Sequence, residues 1–129
     1  MTPDKVQSPK EIARALKRKN AEEERDRQER LTAKIHAAHE EVQQLVRRFR
    51  EEDPGLRRII LFGSLGEGRV KREDFDIDLA FEGSNYLRCL AIALQSNFKV
   101  DLIDMNSAAE GLRREIEHYG REVYRGEQR

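Results

Sequence analysis

Apolar residues recur with two different periods along this chain, and the change of period divides it in two. From Leu31 to Phe49 they are separated by four, three, four, three and four positions, the spacing of one face of an α-helix. After Asp53-Pro54-Gly55, where proline disfavours helical backbone in the residue before it, short apolar runs alternate with turns. We therefore predict a helical arm over residues 1–53 and an α/β domain over residues 54–129.

Within the second part, the pattern predicts strands at residues 56–62, 75–81 and 98–103. Between the last two strands we predict a helix from Ser84 to about residue 96, with one apolar face formed by Leu87, Leu90, Ala91 and Leu94. A last helix is predicted to open at the capping-box spacing Ser107 to Glu110 and to end near Tyr119, before Gly120.

The predicted arm contains two kinds of helical sequence. Residues 17–30 hold eleven charged residues in fourteen, so this segment is either an exposed helix held by ion pairs or a mobile arm. The apolar stripe of residues 31–49 predicts either packing onto the following domain or a seam with a second helix in a homodimer.

The overall composition limits the classes of function. Charged residues make up 39% of the chain, but basic and acidic residues both number 25, which argues against a general nucleic-acid or anionic-membrane binder and leaves a local basic patch possible. The single cysteine, Cys89, predicts a buried thiol and no internal disulfide. No apolar run approaches the length of a membrane span and residues 1–5 lack the layout of a signal peptide, so we expect a cytoplasmic protein.

Three aspartates fall on strand-like segments. Asp76 and Asp78 alternate with Ile77, Leu79 and Phe81, so both carboxylates are expected to project from the face opposite the core. Asp101 alternates with Val100 and Leu102 in the same way, and it lies on the same face as Asp76 and Asp78 if the two strands are neighbours. Because like charges on one face repel, a divalent cation is the natural explanation, and carboxylates so placed suit one Mg²⁺ or two.

A glycine-rich turn, Gly63-Ser64-Leu65-Gly66-Glu67-Gly68, precedes the acidic pair. Gly63 allows close approach of a ligand, and the Ser64 hydroxyl and amide are donors for a phosphate oxygen. Arg69, a little further on, is a candidate to neutralise a triphosphate.

Gly63-Ser64, then Asp76-Ile77-Asp78-Leu79, then Val100-Asp101-Leu102-Ile103 together resemble the minimal nucleotidyltransferases of the DNA polymerase β-like superfamily. The resemblance covers roughly residues 54–126. It implies a two-layer or three-layer α/β (α+β) domain around a small mixed β-sheet with flanking helices, here preceded by a long N-terminal helix. It also implies transfer of a nucleoside monophosphate, most simply AMP from ATP, to a protein or small-molecule acceptor.

The same resemblance assigns roles to residues and partners. It implies that Asp76, Asp78 and Asp101 bind two Mg²⁺ ions and carry catalysis, and that Gly63, Ser64 and Arg69 hold the nucleoside triphosphate. Relatives of this size often pair with a helical HEPN-type protein, as the antitoxin half of a toxin–antitoxin system. A second hypothesis stays open, in which a weakly active or inactive member of the fold serves as an interaction protein and binds a second copy or a helical partner through residues 31–49.

Overall fold

The computed structural model describes residues 8–127, so the first seven residues of the predicted arm and the last two of the predicted domain lie outside the described part. The elements are α1 (Pro9–Glu52), β1 (Arg58–Phe62), α2 (Gly63–Gly66), β2 (Ile77–Glu82), α3 (Tyr86–Leu94), β3 (Val100–Asp104), α4 (Glu110–Tyr119) and β4 (Arg121–Arg125). The three predicted strands are present with bounds shifted by one or two residues, whereas α2 and β4 were not predicted.

One four-stranded mixed sheet, in the order β3-β2-β1-β4, forms the centre of the fold. β1 is antiparallel to both β2 and β4, and β2 is parallel to β3, with α3 as the crossover between them. One buried cluster joins α1 and α3 to one face of the sheet, and a smaller cluster joins α4 to the other. The implied mixed α/β sheet with flanking helices is confirmed, and the layers number three.

Helix α1 begins with a reciprocal cap that the sequence analysis did not identify. The Ser8 side chain accepts a hydrogen bond from the Glu11 amide, the Glu11 side chain accepts one from the Ser8 amide, and Pro9 opens the first turn. The charged segment 17–30 is helical and exposed throughout, which settles the choice between helix and mobile arm. None of the described helices is long and apolar enough to cross a membrane.

The apolar stripe of α1 packs onto its own domain. Ala38 and Phe49 are fully buried, and the stripe shares one core cluster with β1, β2, β3 and α3. The predicted packing is therefore confirmed. Because residues 31–49 present this face to their own sheet, its buried side chains are not available for the homodimer seam that the sequence also allowed, and a partner meets only the part of α1 at the margin of that face or outside it.

The apolar face predicted for α3 is not the buried one. Leu87 is 75% exposed and Leu94 is 71% exposed, whereas the face against α1 and the sheet is formed by Cys89, Ile92 and Ala93. Apolar residues surround this short helix, so the sequence pattern alone did not identify the face that packs. The buried thiol is confirmed, and burial raises the pKa of Cys89 to about 11.

The start predicted for the last helix was also wrong. Helix α4 begins at Glu110 after Ala109, whose side chain offers no cap, and Ser107 instead lies in a turn where its amide donates to the Asp104 carbonyl. The end near Tyr119 is confirmed. A side chain at Gly120 would overlap the Ile116 carbonyl, so glycine permits the chain to turn directly into β4.

One buried carboxylate joins the end of α1 to the loop before α3. Asp53 is 1% exposed and accepts four hydrogen bonds: from the Ser84 hydroxyl at 2.7 Å, the Ser84 amide at 2.9 Å, the Asn85 amide at 3.0 Å and the Gly55 amide at 2.9 Å. Burial alone raises the pKa of Asp53, but these hydrogen bonds outweigh it and leave the pKa below its ordinary value. Side chains at Gly55 and Gly83 would overlap this loop, so the carboxylate is closely enclosed.

We expect Asp53→Ala to lower the free energy of unfolding by about 2–4 kcal/mol, because it leaves buried amide donors without an acceptor. Urea denaturation measures the change. Glu51→Ala is the matched control, since Glu51 is exposed on the same helix end. Equal effects of the two substitutions would show that Asp53 does not hold the loop.

The Asp53 contribution is expected to depend on pH with a defined sign. Its pKa is lower in the folded protein, so the unfolded chain binds the proton more tightly and stability is lost as the pH falls below ~4 through the folded pKa. The stability difference between wild type and Asp53→Asn should therefore be largest near neutral pH and shrink in acid. A difference that stays constant from neutral pH to acid would contradict this.

Candidate functional site

Strict alternation along β2 directs the Asp78 carboxylate away from the main core. Ile77, Leu79 and Phe81 are fully buried in the cluster that contains α1 and α3. Asp78 therefore projects toward the opposite face, as the sequence analysis expected. Asp76 lies immediately before the strand begins, and its side chain is 40% exposed.

The sheet register brings the third aspartate beside the first two. Asp78 pairs with Asp101 across the parallel β2–β3 ladder and with Phe62 across the antiparallel β1–β2 ladder. Neighbouring strands in a sheet lie about 4.8 Å apart, so the two carboxylates start from adjacent backbone positions on one face. The structure thus pairs Asp78 with Asp101 and leaves Asp76 just before the strand, close enough for its charge to raise the pKa of the Asp78 carboxyl.

Gly63 contacts the acidic row directly. It follows Phe62, the residue paired with Asp78, and has a φ of +71°, in the left-handed region that favours glycine. A Cβ at this position would overlap the Asp78 carboxylate. The turn therefore has glycine here for two reasons, backbone conformation and space for Asp78.

Ser64 lies in α2 and Arg69 lies in the loop that follows it, although the Arg69 side chain is already paired. The Arg69 amide donates to the Ser64 carbonyl at 2.8 Å, and the Arg69 guanidinium forms an exposed ion pair with Glu67 at 3.2 Å. A shallow hollow of about 200 Å³ is lined by Ser64, Arg69, Val70, Lys71, Arg72, Asp74 and Phe75. The basic residues of the loop are thus next to Ser64, and two of them are paired with carboxylates, Arg69 with Glu67 and Arg72 with Asp74.

The acidic row carries unfavourable charge that calls for compensation. Burial raises the pKa of the Asp78 carboxyl, and the nearby charges of Asp101 and Asp76 raise it further. Lys99 acts in the opposite direction, with its ammonium 3.8 Å from the Asp76 carboxylate. Lys99 was not among the site residues predicted from the sequence, although its position two residues before Asp101 places a cation beside the acidic strand.

The donor chemistry of this row suits Mg²⁺ more than a transition metal. Within residues 8–127, no group of three His, Cys, Asp or Glu residues is gathered closely enough to enclose a metal ion. Mg²⁺ does not require such a cage, because it keeps several waters and is usually bound through one or two carboxylates plus substrate phosphates. The pairing of Asp78 with Asp101, beside Asp76, supplies that type of donor.

Comparison with known proteins gives a family match over this part of the chain. The family described as Polymerase beta, Nucleotidyltransferase matches residues 43–129, which include all the site residues above. No curated protein matches the chain.

Several solved structures are similar. A toxin–antitoxin crystal structure with AMP-PNP is 30% identical with a TM-score of 0.53, covering 66% of this chain and 73% of that chain. A mutant of the toxin–antitoxin complex MntA-HpeT is 26% identical with a TM-score of 0.52, covering 69% of this chain and 73% of that chain. A nucleotidyltransferase from Sulfolobus solfataricus, 14% identical with a TM-score of 0.55 over 74% of this chain and 86% of that chain, shows likeness of fold alone.

Two glycines of the turn form a matched pair for testing the contact with Asp78. Gly63 and Gly68 both have φ near +70°, but a side chain at Gly68 meets nothing within 4 Å. Gly68→Ala should cost roughly 1 kcal/mol for the left-handed backbone alone. Gly63→Ala should destabilise more, by about 2–4 kcal/mol, because it also displaces the Asp78 carboxylate. Equal unfolding free energies for the two variants would contradict the contact.

Proposed function

Since this chain belongs to the polymerase beta nucleotidyltransferase family, we propose that it transfers a nucleoside monophosphate, AMP from ATP, to a hydroxyl of a partner protein in a Mg²⁺-dependent reaction. The observation that carries the proposal is the row of three aspartates beside the Gly63 turn. Their mutual repulsion is a cost in the free protein, and a cation with a triphosphate offsets it.

Each site residue has a role that its position supports. Asp76, Asp78 and Asp101 are the residues that would hold Mg²⁺, which supplies charge neutralisation for the triphosphate and the leaving pyrophosphate. Gly63 gives the nucleotide close access to the backbone next to Asp78. Ser64 donates to a phosphate oxygen, and Arg69 reaches the phosphates once its exposed pair with Glu67 is exchanged for them. Asp101, the most exposed of the paired acids, accepts the proton of the acceptor hydroxyl.

A protein acceptor is favoured over a small molecule by the shape of the site and by the similar structures. The hollow beside Ser64 is small, at about 200 Å³, so an acceptor that reaches it is held largely by its own surface. Two of the similar structures are toxin–antitoxin complexes, one of them with AMP-PNP. We therefore infer that the acceptor belongs to a HEPN-type helical toxin and that this chain is the antitoxin half of the pair.

The interaction-protein hypothesis has one observation in its favour. Arg69 is paired with Glu67 rather than directed at the row of aspartates, so the loop as it stands offers a triphosphate few free cations. The two functions differ in a single measurable property, metal-dependent transfer of nucleotide.

ATP labelled at the α-phosphate, incubated with this chain, Mg²⁺ and the candidate HEPN partner, should transfer label to the partner protein. Asp78→Asn should lower the transfer rate by roughly 100-fold or more, because it removes a charged metal donor at the centre of the row. Gel autoradiography of the separated proteins measures the rate.

The matched control is Asp26→Asn, which removes the same charge from the exposed part of α1 and should leave transfer unchanged. Calorimetric titration of ATP with and without Mg²⁺ separates the two hypotheses further. Binding of Mg-ATP without any transfer would favour the interaction protein, and absence of both would overturn the enzyme.

A further inference from the structure

A groove separate from the acidic row runs between α1 and the edge strand β4. One hollow of about 480 Å³ lies between the two elements, and a second of about 440 Å³ continues it toward the end of α1. They share three lining residues, Arg47, Arg50 and Tyr124. This groove is on the α1 face of the sheet at its β4 edge, whereas Asp78 and Asp101 lie on β2 and β3 and project from the opposite face.

An irregularity in β4 shapes the groove. The β1–β4 register shifts between Ile59 and Ile60, so Val123 has no partner residue on β1. As a result, Arg121, Val123 and Tyr124 all line the groove although they are close in sequence. The floor is apolar, with Val42 and Val46 of α1 below these residues.

Positive charge is gathered in the hollow of about 480 Å³, which is lined by three arginines and has no carboxylate among its lining residues. In the part of the chain that the structure describes, Arg47, Arg50 and Arg121 form no ion pair, although many other arginines do. All three guanidinium groups are exposed, so a carboxylate that entered this hollow would be attracted by each of them.

The chemistry of the groove favours a protein ligand over a nucleic acid. The Arg50 guanidinium already covers the Tyr124 ring at 5.1 Å, so that face is not free to stack on a base. Arginine and tyrosine over an apolar floor are the residue types that dominate protein–protein hot spots.

We propose that this groove binds an acidic segment of a partner protein, with carboxylates against Arg47, Arg50 and Arg121 and an apolar side chain against Val42, Val46 and Val123. The proposal goes beyond nucleotidyl transfer and does not depend on it. A segment held here leaves the row of aspartates open, because the two surfaces lie at different edges and on different faces of the sheet.

The probe is a fluorescein-labelled peptide in which glutamate alternates with valine, and fluorescence anisotropy measures its binding. Gln43→Glu adds a carboxylate to the groove, and Gln44→Glu adds the same charge to an exposed position of α1 outside it. We expect Gln43→Glu to weaken binding roughly 3–10-fold and Gln44→Glu to change it less than twofold. Arg47→Gln with Arg121→Gln should weaken it more than tenfold, whereas Arg18→Gln with Arg25→Gln, the same charge change in the exposed segment, should not.

Urea denaturation shows whether each variant is folded, and the Gln43 and Gln44 pair keeps the test valid if the double arginine variant is not. A glutamine-for-glutamate peptide should not bind. No binding of the acidic peptide, or equal loss in groove and control variants, would overturn the proposal. Tighter binding of an oligouridine RNA, or self-association that Gln43→Glu abolishes in sedimentation experiments, would assign the groove to nucleic acid or to a second copy instead.

Discussion

The buried carboxylate of Asp53 is the interaction on which the arrangement of α1 over the sheet depends. Asp53 follows the last residue of the helix, where the chain turns toward β1. Its carboxylate accepts hydrogen bonds from the Gly55 amide after the helix and from the Ser84 and Asn85 amides before α3. Helix α1 is 44 residues long but packs only through its second half. A fixed end is therefore needed to hold its apolar stripe in register with β1 and β2, which in turn support the row of aspartates.

The order and register of the strands then determine where the aspartates lie. Because β2 is central and buried on the α1 face, Asp78 has to project from the other face, and the parallel pairing with β3 places Asp101 next to it. The packing of the core therefore holds the Asp78 and Asp101 carboxylates near each other in spite of their mutual repulsion. Gly63 is also constrained by this arrangement, because the Asp78 carboxylate occupies the space that a side chain at position 63 would need.

The two charged surfaces of the domain use opposite signs. The acidic row lies beside the Gly63 turn, and the arginine groove lies along the other edge of the sheet. Acidic and basic residues are equal in number over the whole chain, so the net charge of zero did not indicate either surface. A cation with a nucleotide suits one surface and an acidic protein segment suits the other, which is compatible with a protein that handles nucleotide and partner at separate places.

Local pattern was sufficient wherever the chemistry is carried by neighbours in sequence. Apolar residues repeat every second position around Asp78 and every three to four positions along the stripe of α1. These spacings alone predicted the strand, the helix and the face from which the aspartates project. Tertiary contacts decide three other features: the buried face of α3, the start of α4 and the pairing of β4. The sequence of a short apolar helix does not indicate which face is buried, and a helix start without a side-chain cap has no local sequence signal. Lys99 beside Asp76 and the arginines around Tyr124 likewise come together only through strand order and register. The sequence by itself determined the candidate donors of the site, and the tertiary structure decided which charges became neighbours, because electrostatic interaction follows distance in space.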